Sequence, residues 1–159
     1  MAASAGFFHS AAVGEDGSLF VWGFGGCGQL GTGDTASRLA PTRVAGLPAP
    51  VRQVAAGCFH TGMVTEAGDR LICGQGEFGR LGLGDEEDQT TPMLVARALF
   101  DGHAVLLVAC GDAHTAAVTE GVGEGAGARS AEGRASASTL GKGVSARSAE
   151  GEASASTLG

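Results

Sequence analysis

The sequence lacks the features that mark membrane and secreted proteins. It contains no run of about 20 apolar residues, the length that a membrane-spanning helix needs. Its start, Met1-Ala2-Ala3-Ser4-Ala5-Gly6, has neither a basic flank nor an apolar core, so no signal peptide is expected. The four cysteines show no paired spacing, which is typical of free thiols in a reducing compartment. We therefore expect a cytoplasmic or nuclear protein that contacts no membrane.

Basic side chains are also few. The chain has 10 lysines and arginines against 17 acidic residues, and its net charge is −7. Proteins that bind a nucleic-acid backbone use lysine and arginine to replace its counterions, so direct contact with nucleic acid is not expected. A basic protein partner is compatible with this charge.

Glycine, by contrast, is abundant, and it follows an internal repeat. The chain has 29 glycines, and His9, His60 and His114 lie 51 and 54 positions apart within the same short phrase. The first two copies stay in register over forty positions, of which sixteen are identical. A slip of three residues between Val95 and Val105 predicts a loop there. The recurring positions are Gly6, His9, Gly17, Gly23, Gly28, Leu30, Gly31, Gly33 and Asp34 in the first copy, Gly57, His60, Gly68, Gly74, Gly79, Leu81, Gly82, Gly84 and Asp85 in the second, and Gly111 and His114 in the third.

One repeat unit is predicted to form four short strands. Residues 9–14 alternate small and apolar side chains, and Asp16-Gly17 then supplies a tight hairpin turn. Residues 19–22 form an apolar second strand, and a third begins at Pro41 beyond a glycine-rich loop. The fourth strand is predicted over residues 51–54. Four strands in about 50 residues are typical of a β-propeller blade.

The recurring phrase resembles the regulator of chromosome condensation repeat, with its pattern Trp-Gly-x-Gly-x-x-Gly-Gln-Leu-Gly-x-Gly-Asp. The first copy runs from residue 5 to residue 34 and includes the tryptophan, Trp22. The second runs from residue 56 to residue 85, where Cys73 replaces the tryptophan and Arg80 replaces the glutamine. The third copy retains only the opening of the pattern and stops near Glu120.

This resemblance implies an all-β fold of four-stranded antiparallel blades, which in this family close a ring of about seven. Residues 1–119 suffice for two complete blades plus part of a third, so we expect a partial β-propeller. Met1-Ala2-Ala3 occupies the place of the strand before the first glycine, and we expect that strand to be missing. Uncovered blade edges can pair with other chains, which predicts self-association.

Residues 120–159 form a second, low-complexity segment rich in glycine, alanine and serine. Residues 128–141 return at 146–159 with a single difference, Arg134 against Glu152. Small polar residues with few bulky apolar ones do not offset the entropy that ordering costs, so we expect this tail to be disordered.

No set of residues is expected to converge on chemistry. Gly23-x-Gly25-x-x-Gly28 matches the dinucleotide fingerprint as a string, but no helix is expected after it and it recurs at the repeat spacing. A structural turn is therefore predicted. The repeat histidines lie on successive blades, where they cannot converge on one metal ion, and a hydrogen bond at each strand entry is expected instead. We predict no catalytic, cofactor-binding or metal-binding residue.

The remaining polar groups have structural interpretations. The run Asp85-Glu86-Glu87-Asp88 is predicted to be a solvated loop. Asp34 and Asp85 are expected to bond nearby backbone amides in turns. Cys73 is predicted to be buried, and Cys27, in a glycine loop, is the thiol to test for reactivity.

These observations predict a non-enzymatic protein–protein interaction module, or a fragment of one. The resemblance implies partners such as small GTPases, chromatin proteins or ubiquitin-ligase components. Two alternatives stay open: guanine-nucleotide exchange on a Ran-like small GTPase, and the substrate-recruiting part of a ubiquitin-ligase assembly. The sequence identifies no residue of this chain that would carry out nucleotide exchange or ubiquitin ligation. The partner-binding residues are unknown from the sequence.

Overall fold

The chain was analysed as a computed structural model that describes residues 1–121 and 134–140, with side chains over 1–119. It contains three antiparallel sheets and two short 3₁₀ turns, Glu77–Gly79 and Arg97–Phe100. The predicted all-β fold of four-stranded antiparallel blades is confirmed. The strands are β1 (Ala2–Ala5), β2 (His9–Val13), β3 (Leu19–Gly23), β4 (Arg38–Arg43), β5 (Val51–Ala56), β6 (His60–Thr65), β7 (Arg70–Gly74), β8 (Gln89–Leu94), β9 (Val105–Cys110), β10 (Thr115–Gly121) and β11 (Arg134–Leu140).

The sheets divide the repeat differently from the sequence interpretation. The first sheet has the order β1-β2-β3-β4 and the second the order β5-β6-β7-β8. Residues 51–54, predicted as the last strand of the first unit, therefore belong to the first strand of the second sheet. Only three residues separate β5 from β6, and such a short connection favours an antiparallel hairpin. The longer segment 44–50, with two prolines, carries the chain to the next sheet.

The expectation that the first blade lacks its opening strand is wrong. Residues 2–5 form β1, which pairs with β2 from Ala2 opposite Val13 to Ala5 opposite Ser10. The first copy has Ala3 where the second has Val54, and this difference concealed the strand. Strand pairing depends on backbone hydrogen bonds, so small residues at a sheet edge can form it without bulky side chains.

The third strand of the repeat begins earlier than predicted. β4 starts at Arg38 and contains Pro41, rather than beginning at the proline. Its partner β3 pairs through Phe20 with Arg43 and through Gly23 with Arg38, with an irregularity between. β4 lies at the edge of its sheet and has one neighbouring strand, β3. An edge strand tolerates a proline because it needs no N–H group toward its open side. The slip of three residues falls in the loop that holds the turn Arg97–Phe100.

The third sheet has the order β11-β10-β9, so β11 occupies the position that β7 has in the second sheet. Thr115 lies opposite Leu140 and Gly121 opposite Arg134. For these seven residues the structure differs from the predicted disorder, because the free edge of β10 offers backbone partners that composition does not reveal. The rest of the predicted disordered tail lies outside the described residues.

The core consists of two layers, one between each pair of neighbouring sheets. Alternation along a strand sends successive side chains to opposite layers, so Met63 faces the first sheet and Val64 the third. The first layer holds Ala11, Val13, Leu19, Val21, Leu30, Val44, Val51, Val54, Met63, Leu71 and Cys73. The second holds Ala55, Val64, Ile72, Leu81, Val95, Phe100, Val105, Val108 and Ala117.

The first strands of neighbouring sheets approach one another. β1 contacts β5, and β5 contacts β9, while β4 and β8 lie at the far edges of their sheets. The sheets are therefore arranged as propeller blades, with first strands innermost. Among the residues that the structure describes, no helix is long and apolar enough to cross a membrane.

Candidate partner-binding face

Each pair of neighbouring blades is joined by a buried hydrogen bond from a repeat histidine. Nε2 of His9 lies 2.6 Å from Oγ1 of Thr61, whose hydroxyl donates to the carbonyl of Gln29 at 2.6 Å. In the next pair, Nε2 of His60 lies 3.0 Å from Oγ1 of Thr115, which donates to the carbonyl of Arg80 at 2.8 Å. The repeat histidines are thus placed one to a blade and do not come together.

The direction of these hydrogen bonds indicates which nitrogen of the neutral imidazole carries the proton. Because each threonine hydroxyl donates to a carbonyl, it accepts from Nε2–H, and the buried Nδ1 of His9 and of His60 has no hydrogen-bond partner among the described residues. Burial lowers the pKa of His9 to about 4. Burial also lowers the pKa of His60 to about 4, with smaller contributions from the positive charges of Arg80 and Arg70. A base with so low a pKa stays uncharged at neutral pH, in keeping with a structural role.

The glycine three residues before each repeat histidine allows neighbouring blades to approach each other closely. The N–H of Phe7 donates to the carbonyl of Gly57 at 3.2 Å, and that of Cys58 to the carbonyl of Gly111 at 3.2 Å. A Cβ at Gly6 would overlap the carbonyl oxygen of Gly57. The same three repeat positions, residues 5–7, 56–58 and 110–112, line an open groove of about 590 Å³ between the blades. The groove therefore follows directly from the repeat.

The long glycine-rich loops pack against neighbouring strands. Gly28, with φ of 76°, lies so close to β8 that a Cβ would be 2.8 Å from the carbonyl oxygen of Gln89. Asp34 accepts a hydrogen bond from the N–H of Ala36 at 3.0 Å, and Asp85 one from Glu87 at 3.1 Å. Positive φ recurs at Gly17, Gly23, Gly31 and Gly33 and at their counterparts Gly68, Gly74, Gly82 and Gly84, while Leu30 and Leu81 are buried.

An aromatic patch lies on one face of the blades. We name as the loop face the end formed by residues 6–8, 24–37, 57–59, 75–88 and 111–114, which join first to second and third to fourth strands. On it, the ring of Phe8 is stacked on Phe59 at 5.2 Å and meets the edges of Phe7 and Phe24 at 4.6 and 6.0 Å, between centroids. Phe7 is 76% exposed, Phe8 45% and Phe24 44%. These four rings, the aromatic patch, present apolar surface across two blades.

The loop face is more acidic than the opposite face. Seven of the twelve carboxylates in residues 1–119 lie in its loops, and only two of the six arginines, Arg38 and Arg80, lie in or next to them. Both arginines are paired, Arg38 with Asp34 at 2.8 Å and Arg80 with Glu77 at 3.7 Å. The unpaired carboxylates of this face, which form no ion pair within residues 1–119, are Asp85, Glu86, Glu87, Asp88 and Asp112. The opposite end has five carboxylates and four arginines.

The half-buried thiols connect the aromatic and acidic parts of this face. Desolvation raises the pKa of Cys27, and the negative charge of Asp88 raises it further. Desolvation likewise raises the pKa of Cys58, followed by its hydrogen bond to Asp112 and the charge of that carboxylate. A raised pKa reduces the thiolate fraction, so Cys27 has no sign of the activation that a reactive cysteine needs. Cys73 is fully buried, as predicted.

The aromatic patch is absent from the residues predicted from the sequence. Its signal in the sequence is the recurrence of phenylalanine immediately before the repeat histidine, at Phe8 and Phe59. The third copy has Ala113 there, so the patch ends before the third blade. Within residues 1–119, no group of three or more histidine, cysteine or acidic residues is placed to hold a metal ion.

Relatives share parts of this chain. It is 46% identical over 83 residues to an X-linked retinitis pigmentosa GTPase regulator homolog of Caenorhabditis elegans, covering 51% of this chain and 6% of that protein. It is 40% identical over 112 residues to the ultraviolet-B receptor UVR8 of Arabidopsis thaliana, covering 70% and 25%. It is 38% identical over 123 residues to the E3 ubiquitin-protein ligase HERC2 of Homo sapiens, covering 76% and 2%. The chain thus spans at most a quarter of these relatives.

Solved structures share the fold. Prp20p from Saccharomyces cerevisiae superposes with a TM-score of 0.67 at 24% identity, covering 77% of this chain and 31% of that one. Human WBSCR16 superposes with a TM-score of 0.65 at 28% identity, covering 74% and 30%. The family model of the regulator of chromosome condensation (RCC1) repeat matches residues 16–64 and 68–118, and a second model of this repeat matches residues 2–29. Because these matches span more than half of the sequence, the chain belongs to the RCC1 repeat family.

Proposed function

We propose that the chain is a non-enzymatic protein-binding module that uses its loop face. The observation that carries this proposal is the aromatic patch. Phe7, Phe8 and Phe24 each expose at least two-fifths of their surface, although aromatic side chains are few in this sequence. Clustered exposed aromatic rings are typical of protein interfaces, where they contribute much of the binding energy.

The repeat residues support the same proposal because their polar groups form structural hydrogen bonds. The buried histidines are neutral and bonded to threonines, and the loop carboxylates Asp34 and Asp85 bond backbone amides. These groups therefore hold blades and loops in place. A rigid set of blades that displays loops on one face is a suitable scaffold for binding another protein.

The test is capture of partners by the purified full chain, with variants on two surfaces. Phe7→Ala and Phe24→Ala truncate exposed rings of the patch, whereas Leu39→Ala truncates a fully exposed leucine on the outer strand β4. We expect captured proteins to be lost from the phenylalanine variants and retained by the leucine variant. Unchanged capture by the phenylalanine variants, or none above background by the wild-type chain, would contradict the proposal.

Guanine-nucleotide exchange on a small GTPase is a second candidate. It is favoured by the 46% identity to a relative that is named as a GTPase regulator homolog, although the chain covers 6% of that relative. The measurement is release of a fluorescent nucleotide from a purified Ran-like GTPase. Faster nucleotide release in the presence of this chain would make exchange the leading candidate function. An unchanged rate of release would favour the protein-binding module instead.

Substrate recruitment in a ubiquitin-ligase assembly is a third candidate. Its support is the 37% and 38% identity to E3 ligases of the HERC group, of which the chain covers 2% to 12%. On this reading the chain would bind the substrate, and ligation would belong to another domain. Co-purification of a ubiquitin-modified protein, dependent on Phe7 and Phe24, would favour this candidate.

A further inference from the structure

We infer that the loop face binds a basic segment of a protein partner, rich in arginine, which lies over the aromatic patch with its charges toward the unpaired carboxylates. This inference rests on the proposed function and adds the chemical class of the partner. It is carried by two independent features of the face, its exposed rings and its charge.

The rings favour arginine over a purely aliphatic partner. Phe7 is 76% exposed and Phe24 is 44% exposed, and a guanidinium is attracted to the negative face of an aromatic ring. The chain itself contains this pairing at the loop face, where the guanidinium carbon of Arg80 lies 5.7 Å from the ring centroid of Phe78. Arginine also buries its aliphatic stem along apolar surface while its charge stays hydrated.

The negative charges of the loop face disfavour an acidic partner and favour a basic one. The two arginines at the loop face are already paired with Asp34 and Glu77, so its other carboxylates have no cation among residues 1–119 within ion-pair distance. Glu86 and Glu87 are exposed at the centre of the acidic run 85–88. Opposite charges across an interface speed association and suppress partners of the wrong sign.

The acidic and aromatic parts belong to one continuous surface. Phe7 lines the groove at one end and Asp112 at the other, with Cys58 between them. Gly28, in the same loop as Phe24, packs against Gln89, which directly follows the acidic run 85–88. One extended segment can therefore reach both the rings and the carboxylates.

The experiment uses the full chain and labelled synthetic peptides. One peptide alternates arginine with leucine and serine, a second has glutamate in place of each arginine, and a third has lysine there. We expect the arginine peptide to bind, the lysine peptide to bind more weakly, and the glutamate peptide not to bind by fluorescence anisotropy. Affinity for the arginine peptide should fall about tenfold between about 50 and 300 mM salt, because exposed charges are screened over that range.

Matched variants localise the binding. Glu86→Gln with Glu87→Gln removes two charges from the loop face, and Glu15→Gln with Glu66→Gln removes two exposed charges from the opposite face. The first pair should weaken the arginine peptide at least about threefold, and the second should change it by less than about 1.5-fold. Phe7→Ala should weaken it comparably to the first pair. Equal effects of the two glutamate pairs would overturn the inference, because the attraction would then reflect net charge alone.

Failure of the inference is distinguishable from failure of the proposed function. If cellular proteins are captured in a manner dependent on Phe7 and Phe24 but the arginine peptide does not bind, the face binds partners of another chemistry and the inference is wrong. If neither capture nor peptide binding occurs, both are wrong. Binding by the glutamate peptide would overturn the inference while leaving the interaction function.

Discussion

The imidazole of His9 and the hydroxyl of Thr61 share a hydrogen bond of 2.6 Å that crosses from the first blade to the second. The sequence distance between these residues is 52 positions, one repeat plus one residue. The repetition of this bond between His60 and Thr115 shows that the histidine joins its own blade to the next. We call the three neighbouring blades the arc. The stability of the arc should therefore depend on contacts between blades, which a single blade does not contain.

Removing the hydroxyl of Thr61 should destabilise the arc. Thr61→Val keeps the side-chain shape but leaves Nε2 of His9 and the carbonyl of Gln29 buried without this partner. The expected loss of unfolding free energy is about 1–3 kcal/mol, the usual cost of buried unsatisfied polar groups. Urea unfolding measures it, with Thr91→Val, an exposed position on β8, as the control expected to change little. Equal losses in the two variants would refute the proposed role of the bond.

Stability should fall as the pH is lowered through the range from about 6.5 to about 4. Burial lowers the pKa of His9 and of His60 to about 4, from an ordinary value of 6.5. The unfolded chain therefore binds more protons than the folded chain between these values, so the free energy of unfolding decreases with falling pH. Each histidine can contribute about 3 kcal/mol to this decrease.

Urea midpoints across this pH range, together with the titration of each imidazole followed by NMR, check the dependence. The carboxyl groups of Asp16 and Asp34 have pKa values below 3.8, owing chiefly to hydrogen bonds with Ser18 and Arg38 respectively, so their effect lies at lower pH. A stability that stays constant from pH 6.5 to pH 4 would contradict the lowered histidine pKa values.

The architecture could be predicted from the sequence because the residues of the repeat determine turns and strands locally. Hairpin turns, alternating apolar positions and the family pattern indicated four-stranded blades, and burial of Cys73 in place of tryptophan was confirmed. The division into sheets was not predictable in the same way. The segment over residues 51–56 has the same local pattern whichever neighbour it pairs with, and only the packed structure selects β6.

The candidate site was less predictable than the fold for a physical reason. Phe8 and Phe59 are 51 residues apart, and their stacking at 5.2 Å depends on how two blades are placed side by side. The charge difference between the faces also depends on which loops share an end of the strands. Such juxtapositions arise from long-range packing, on which a periodic sequence pattern carries little information.

A buried arginine marks a place where the second blade departs from the first. Arg70 is 1% exposed and occupies the repeat position of Leu19. Its Nη2 donates to the carbonyl of Leu81 at 3.3 Å, while its Nε and Nη1 have no hydrogen-bond partner among the described residues. Burial lowers its pKa to about 10, so the side chain remains charged at neutral pH inside the protein.

Replacing this arginine with the residue of the first blade should stabilise the chain. Arg70→Leu removes a poorly satisfied buried charge and places an apolar side chain in the layer between the second and third blades. The expected gain in unfolding free energy is about 1–3 kcal/mol. Arg97→Leu, which breaks an exposed pair with Asp69, is the control and should change stability by less than about 1 kcal/mol. Destabilisation by Arg70→Leu would show that the guanidinium has a partner that compensates its burial.

The two outer faces of the arc should associate with each other in solution. Trp22 and Phe20 lie on the face of the first sheet that points away from the second, and no sheet covers this face among the described residues. At the other end, His114 is exposed, whereas the equivalent His9 and His60 are buried and bonded to the next blade. Ser10 holds the repeat position of Thr61, so a second copy can offer the hydroxyl that His114 lacks. Each chain therefore carries both halves of the contact that joins its own blades, which predicts head-to-tail association.

Light scattering after size exclusion should show mass increasing with concentration. Trp22→Glu places a charge on the uncovered face and should abolish the increase, whereas Leu39→Glu places the same charge on the outer strand β4 and should not. Circular dichroism on the same samples establishes that both variants keep their strands. A wild-type chain that stays monomeric at every concentration would rule out this contact, because apolar blade faces complementary to each other associate unless something else covers them.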